Sequence, residues 1–281
     1  MLDLTETVIA TTFSAALGIF IIAASIRKFL GHHEQKHDTT LEVPTWFYNR
    51  LDLLGLSFIF LLFSGLVISS LMVSEKAARV IVAGDLLGQI SLQFIIASIV
   101  SAFVLSRVKL TDWLGLKWKS WWLVFFIAPA AVLFMWLLLW ALYFLNYMKW
   151  IQSLGVDVIQ DSVKLLQEAK DPAVLGLMAL AAVIVAPICE EIVFRGYFYP
   201  AAKKFIGTWS AGICSALVFS AAHGSVAALL PIFLLGGLLV FLYEKTGSIW
   251  APIAVHLCFN GATVGIQIAA RFYDIPINPA L

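Results

Sequence analysis

Eight apolar stretches punctuate this chain, near residues 7–26, 53–73, 88–106, 121–146, 173–192, 205–223, 226–243 and 249–270. A helix needs about 20 apolar residues to cross the hydrocarbon core of a bilayer. Within that core, backbone N–H and C=O groups have no water to turn to, so spans of this length are helices. The expected fold is an all-α polytopic membrane protein, with about eight transmembrane helices around an intramembrane polar cavity. The sixth and seventh stretches are short and separated only by Gly224-Ser225, so one of them should be incomplete or strongly tilted.

Composition agrees. Of 281 residues, 62% are hydrophobic and 12% charged, whereas soluble domains run nearer half apolar and a quarter charged. A net charge of +1 lacks the basic excess of a nucleic-acid-binding chain, so no nucleic-acid partner is expected. Cys189, Cys214 and Cys258 all fall in apolar segments, and an odd count there reads as small core residues, not as a disulfide framework. Asp3 and Glu6 precede the first apolar run without a basic start or a small-residue cleavage site. That run is read as a retained span, and the protein is expected in a membrane, a prokaryotic cytoplasmic one.

Four regions are expected: a four-helix membrane region over residues 1–150, an amphipathic interfacial connector over 151–172, a helical core over 173–270 and a short tail over 271–281. In the connector, Ile159, Val163 and Leu166 share one face, the pattern of a helix lying at an interface, as a simple connector or as a lid. Asp171-Pro172 then offers an N-cap and a first-turn proline for the fifth span. Arg27, Lys28, Lys36 and Arg50 populate the first loop, Arg107, Lys109, Lys117 and Lys119 the third, and Lys203 and Lys204 the fifth. The bias places loops one, three, five and seven on the cytoplasmic side.

Ionisable residues within spans are costly and mark functional sites. Three such motifs follow one another: Glu190-Glu191-x-x-x-Arg195, Phe219-x-x-x-His223 and His256-x-x-x-Asn260. Glu191 and Arg195 share a face at i, i+4 and can pair. Glu190 points about 100° away and is expected to be the less compensated and more desolvated carboxylate, which suits a general base. Pro187 should kink the helix just ahead of the pair. Phe219 with His223, and His256 with Asn260, share faces by the same spacing. The alternative for Glu191–Arg195 is a solvated helix end with a surface salt bridge. For His256 it is a core histidine, and for Asn260 an amide that holds two helices together.

Depth tests whether these groups can meet. Glu190 lies roughly 20 Å of helix before Lys203, and His223 roughly 20 Å after Trp209. His256 lies only roughly 9 Å beyond Trp250, so its match is loose.

The order of the three motifs resembles the CPBP (or ABI) family of intramembrane proteases, which includes Ras-converting CAAX endopeptidases, their prokaryotic relatives and bacteriocin self-immunity proteins. The resemblance covers about residues 170–270, and all three motifs match without substitution. It implies that Glu190 is the general base, that His223 helps hold the hydrolytic water, and that His256 and Asn260 form an oxyanion hole. Glu191 and Arg195, with Phe219, would be their supports. The substrate it implies is a membrane-anchored protein or peptide, and the glutamate mechanism needs no metal or other cofactor. Two His and two Glu could still bind zinc, which keeps a zinc-dependent protease as a lesser option. A non-catalytic immunity or scaffold protein and a proton-coupled transporter are the rivals from other classes.

His33-Glu34-Gln35-Lys36-His37 also spells the zincin pattern. That motif requires a helix presenting both histidines and a third ligand further on. Here it sits in a charged loop, so a solvated loop is the expected reading.

Overall fold

The computed structural model describes residues 4–30, 43–72 and 82–273. Among them all regular structure is helical. The helices are α1 (Leu4–Phe29), α2 (Asp52–Met72), α3 (Ala83–Leu105), the single turn α4 (Leu110–Trp113), α5 (Val124–Phe144), α6 (Tyr147–Ser153), α7 (Asp161–Glu168), a long α8 (Pro172–Ile206), α9 (Thr208–Ala221), α10 (Val226–Thr246) and α11 (Trp250–Phe272).

Among the described residues, seven helices are long and apolar enough to span a membrane: α1, α2, α3, α5, α8, α10 and α11. Many of their large apolar side chains face outward, such as Phe125, Phe126 and Leu137 on α5, the inverse of a soluble fold. The protein is an integral, multi-pass membrane protein. The sixth stretch is the incomplete one, since α9 has 14 residues, or roughly 21 Å. It ends at Gly224, which takes φ +64°.

The fifth span is longer than expected. α8 runs through 35 residues, roughly 52 Å against a core of about 30 Å. Asp171 caps it by accepting from the Ala173 N–H at 2.8 Å, with Pro172 in the first turn, as the sequence indicated. Lys203 and Lys204, expected in a loop, instead form its last turn. Lys203 is buried, donating to Glu244 and to the Val43 carbonyl. The fifth loop shrinks to Gly207, whose positive φ of 82° lets the chain reverse without a strained side chain.

The odd-numbered loops meet at one end of the bundle, as alternate crossing requires. Val43 of the first connection and Asp52 at the start of α2 hold Lys203 and Arg107, respectively, and the Ile249 N–H donates to Leu114 O, joining the seventh loop to the third. At the opposite end, Arg271 of α11 donates to the carbonyls of Leu166 and Ala169. These carbonyls lie in the last turn of α7 and just past it, so Arg271 ties that short helix to α11.

α8 is not uniform. Its Ala181–Val185 and Ile192–Phe198 segments are π-helical, with a short α-helical stretch, Ala186–Glu191, between them. The disturbance expected at Pro187 thus takes the form of a widened turn ahead of it. The second wide turn precedes Pro200, which has no N–H to offer the Gly196 carbonyl four residues earlier. Tyr48 Oη donates to that carbonyl at 2.8 Å and Trp113 Nε1 at 2.6 Å. Burial pushes the Tyr48 phenol well above its ordinary range, which keeps it a donor.

Trp113 accounts for the depth of α11. Its buried indole reaches Gly196, roughly 15 Å of helix inside the Ile206 end of α8. The third loop therefore enters the bundle, and through Leu114 it starts α11 well below the bundle surface. His256 needs only the few residues after Ile249 to reach the level of Glu190, which resolves the loose match expected from sequence.

Candidate active site

The acidic pair lies on the α-helical stretch between the two wide turns. Glu191 is 0% exposed. Its Oε1 accepts from Arg195 Nη1 at 2.8 Å, across one helical turn, and from His256 Nδ1 on α11 at 2.9 Å. Arg195, also 0% exposed, gives Nη2 to the Gly236 carbonyl of α10 at 3.1 Å. Its guanidinium lies over the Phe219 ring at 4.3 Å, a cation–π contact strengthened by the absence of water. A solvated surface salt bridge is therefore excluded. Burying such a pair is costly unless each charge has further partners. Here a histidine, a carbonyl and an aromatic face supply them, although Glu191 Oε2 and Arg195 Nε find none.

Phe219 connects the remaining pieces. Fully buried on α9, it packs edge-on against His223 at 5.0 Å and His256 at 5.8 Å, and against Phe194 at 5.1 Å. One apolar ring thereby sets the spacing of both histidines and of the guanidinium. Gly236 makes this possible. A Cβ there would stand 3.2 Å from Ala216 Cα and 3.3 Å from Phe219 Cδ1, closer than nearly all side chains tolerate. Sequence reading passed over Gly236, and a glycine pair in mid-span was the available signal.

Glu190 has a different setting. Its side chain keeps 23% of its surface, against 0% for Glu191, and its Oε2 lies 3.9 Å from His256 Nε2. This reverses the expected order of desolvation. The paired carboxylate is the buried one, because α8 turns it toward α10 and α11, while Glu190 faces open space. Accessibility, not deprivation of water, distinguishes Glu190.

The histidines present opposite edges. His256 is 2% exposed, and its Nδ1 carries a proton because its partner is a carboxylate. That leaves Nε2 directed at Glu190. His223 is exposed at the end of α9, with Nδ1 donating to the Phe219 carbonyl at 2.8 Å. A carbonyl can only accept, so Nδ1 of His223 carries a proton, and in the neutral ring Nε2 is the nitrogen with the lone pair. The short α9 is what leaves this group within the depth of the bundle and not at its surface. Asn260 is half-buried and gives Nδ2 to Ala182 O at 2.8 Å, so it does hold two helices together.

The structure thus joins Glu190, Glu191, Arg195, Phe219, His223 and His256 into one cluster, with Asn260 one turn along α11 from His256. Among the described residues, no group of three or more His, Cys, Asp or Glu could hold a metal ion. His33 and His37 lie outside the described residues. Cys189 and Cys214 are buried as expected, but Cys258 is exposed on α11, because the face opposite His256 turns outward. A separate cavity of about 250 Å³ lies between α1 and α2, lined by Leu17, Phe20, Phe60 and other apolar side chains. It holds none of the motif residues.

Residues 172–262 match the family described as type II CAAX prenyl endopeptidase Rce1-like. YdiL of Bacillus subtilis (strain 168), a candidate membrane peptidase by its description, is 36% identical over 92 residues. That stretch is 33% of this chain and 38% of YdiL, so the chain spans well under half of the relative it resembles. No solved structure matches the chain. The matched segment contains all three motifs, and it is the segment in which the side chains converge.

Proposed function

We propose that this chain, whose residues 172–262 resemble the type II CAAX prenyl endopeptidase family, is a glutamate-type intramembrane endopeptidase. Its substrate would be a membrane-anchored protein or peptide, cleaved within the bundle at the level of Glu190. The observation that carries the reading is the division of labour between the two carboxylates. Glu191 is buried in bonds to Arg195 and His256, whereas Glu190 is accessible and 3.9 Å from His256 Nε2.

In this reading a water sits between the Glu190 carboxylate and the Nε2 lone pair of His223. Glu190 takes its proton as the oxygen attacks the scissile carbonyl carbon. The C=O π electrons move to oxygen, and the resulting oxyanion accepts hydrogen bonds from His256, acting as an imidazolium through Nε2–H, and from the second N–H of the Asn260 amide. Collapse of the tetrahedral intermediate re-forms C=O and breaks the C–N bond, while Glu190 returns the proton to the leaving amine. Glu191 keeps the His256 ring oriented, and Arg195 holds Glu191. Zinc is not needed for any of these steps.

The test is a comparison of new protein termini in membranes from cells carrying wild type or Glu190→Gln, with and without a zinc chelator. Chelator-resistant cleavages seen only with wild type are expected, and they would reveal the substrate. Chelator-sensitive cleavage would turn the reading to a metalloprotease. If no terminus depends on Glu190 while the variant keeps its cellular role, a binding or immunity protein becomes the better account.

A further inference from the structure

We infer that Asn260 is a positioning residue for Glu190: it occupies the backbone carbonyl that Pro187 leaves without a donor, and so fixes the wide turn that aims the acidic pair. The inference builds on the peptidase reading but stands on separate geometry. In the first wide turn the Ala186 N–H bonds to Ala181 O, five residues back. One residue further, the same register sets Ala182 O opposite residue 187, which is proline and has no N–H. In the apolar interior of a membrane protein such a carbonyl has no water to accept from, and leaving it unmet is costly. Asn260 Nδ2 meets it at 2.8 Å.

The consequence for Glu190 is rotational. A π-helical turn carries one residue more than an α-helical turn, so it offsets every later side chain by about 100°. If Ala181–Val185 relaxed to α geometry, the Glu190–Glu191 pair would swing off His256, to which both carboxylates are now directed at 3.9 and 2.9 Å. The Asn260 bond selects the register in which they meet. At the second wide turn, too, side chains take a backbone carbonyl near a proline, since Tyr48 and Trp113 occupy the Gly196 carbonyl four residues ahead of Pro200. Two prolines flank the acidic pair, and near each a side chain from another element takes a backbone carbonyl.

The test uses the full-length protein in detergent micelles. Hydrogen exchange in Asn260→Ala should quicken at residues 181–190 by about tenfold or more, with α1 and α2 unchanged and with no such effect in Glu190→Gln. Exchange at 181–190 equal to wild type would overturn the inference. A double-mutant cycle adds a second arm, because Pro187→Ala restores an N–H for Ala182 O. The fall in Tm caused by Asn260→Ala should at least halve in the Pro187→Ala background, and an equal fall in both backgrounds would overturn the inference. For turnover, kcat per folded molecule in Asn260→Ala should drop by about 10²-fold, and by clearly less when the same change is made in the Pro187→Ala background; an equal drop in both backgrounds is what loss of an oxyanion donor alone would give and would remove the positioning role. The exchange and stability arms need no turnover, so an inactive wild type would sink only the peptidase reading.

Discussion

His256 Nδ1 lies 2.9 Å from Glu191 Oε1, and this contact joins the last span to the fifth at the centre of the bundle. It sets the edge that His256 offers to Glu190, and it makes Glu191 a shared acceptor for an arginine on its own helix and a histidine on another. Removing either carboxylate should therefore have different results.

Glu191→Gln should destabilise the protein by about 3–5 kcal/mol, because Arg195 would become an unpaired buried charge. Glu190→Gln should stay within about 1 kcal/mol of wild type, as a partly exposed side chain keeping its shape, yet lose at least about 10²-fold in peptide hydrolysis. Thermal unfolding in detergent, read beside turnover of a cleaved substrate, separates the two. Equal stability losses would contradict the burial difference.

Arg195→Lys should fail to restore what Arg195→Ala removes. An ammonium is a point charge and cannot pair with Glu191, reach the Gly236 carbonyl and stack on Phe219 together. Both variants should give low yields of folded protein in membranes, and a Lys variant with wild-type stability would show that charge alone suffices.

Neighbouring glycines on α10 offer an internal control. A Cβ at Gly236 meets Ala216 and Phe219, whereas a Cβ at Gly237 meets nothing within 4 Å. Gly236→Val should cost about 1–3 kcal/mol by overpacking and displace Phe219 from the histidines. Gly237→Ala should be neutral or stabilising by up to about 1 kcal/mol through helix propensity. Paired Tm measurements decide this.

His223→Ala should leave Tm nearly unchanged, since the ring is exposed beyond the end of α9, while lowering hydrolysis by about 10²-fold or more. A variant that unfolds but retains its turnover per folded molecule would make His223 a cap on α9 and nothing else.

Changing His33 and His37 together to Ala should leave proteolysis intact. Loss of cleavage with normal expression would move the chemistry toward that first loop.

The features legible in the sequence were those set by spacing along one helix. The Glu191–Arg195 pair, the Phe219–His223 contact and the Asp171-Pro172 start of α8 follow from residues three or four apart, or from caps, and each appears in the structure. The short sixth helix was visible in its length. Lys203 misled because a charged residue near a helix end is ordinarily a surface residue. Only Glu244 and Val43, distant in sequence, make it an interior one.

The sequence by itself determined the solvent, the number of apolar helices and the candidate residues for acid–base chemistry, because hydropathy and helical periodicity are local properties. Tertiary structure alone decided which carboxylate is buried, how deep His256 lies and what Asn260 bonds. Those depend on the register between helices, which is set by the entry of Trp113, the close approach at Gly236 and two wide turns beside prolines. No local pattern encodes such contacts, since their energy comes from partners that only the folded chain brings together.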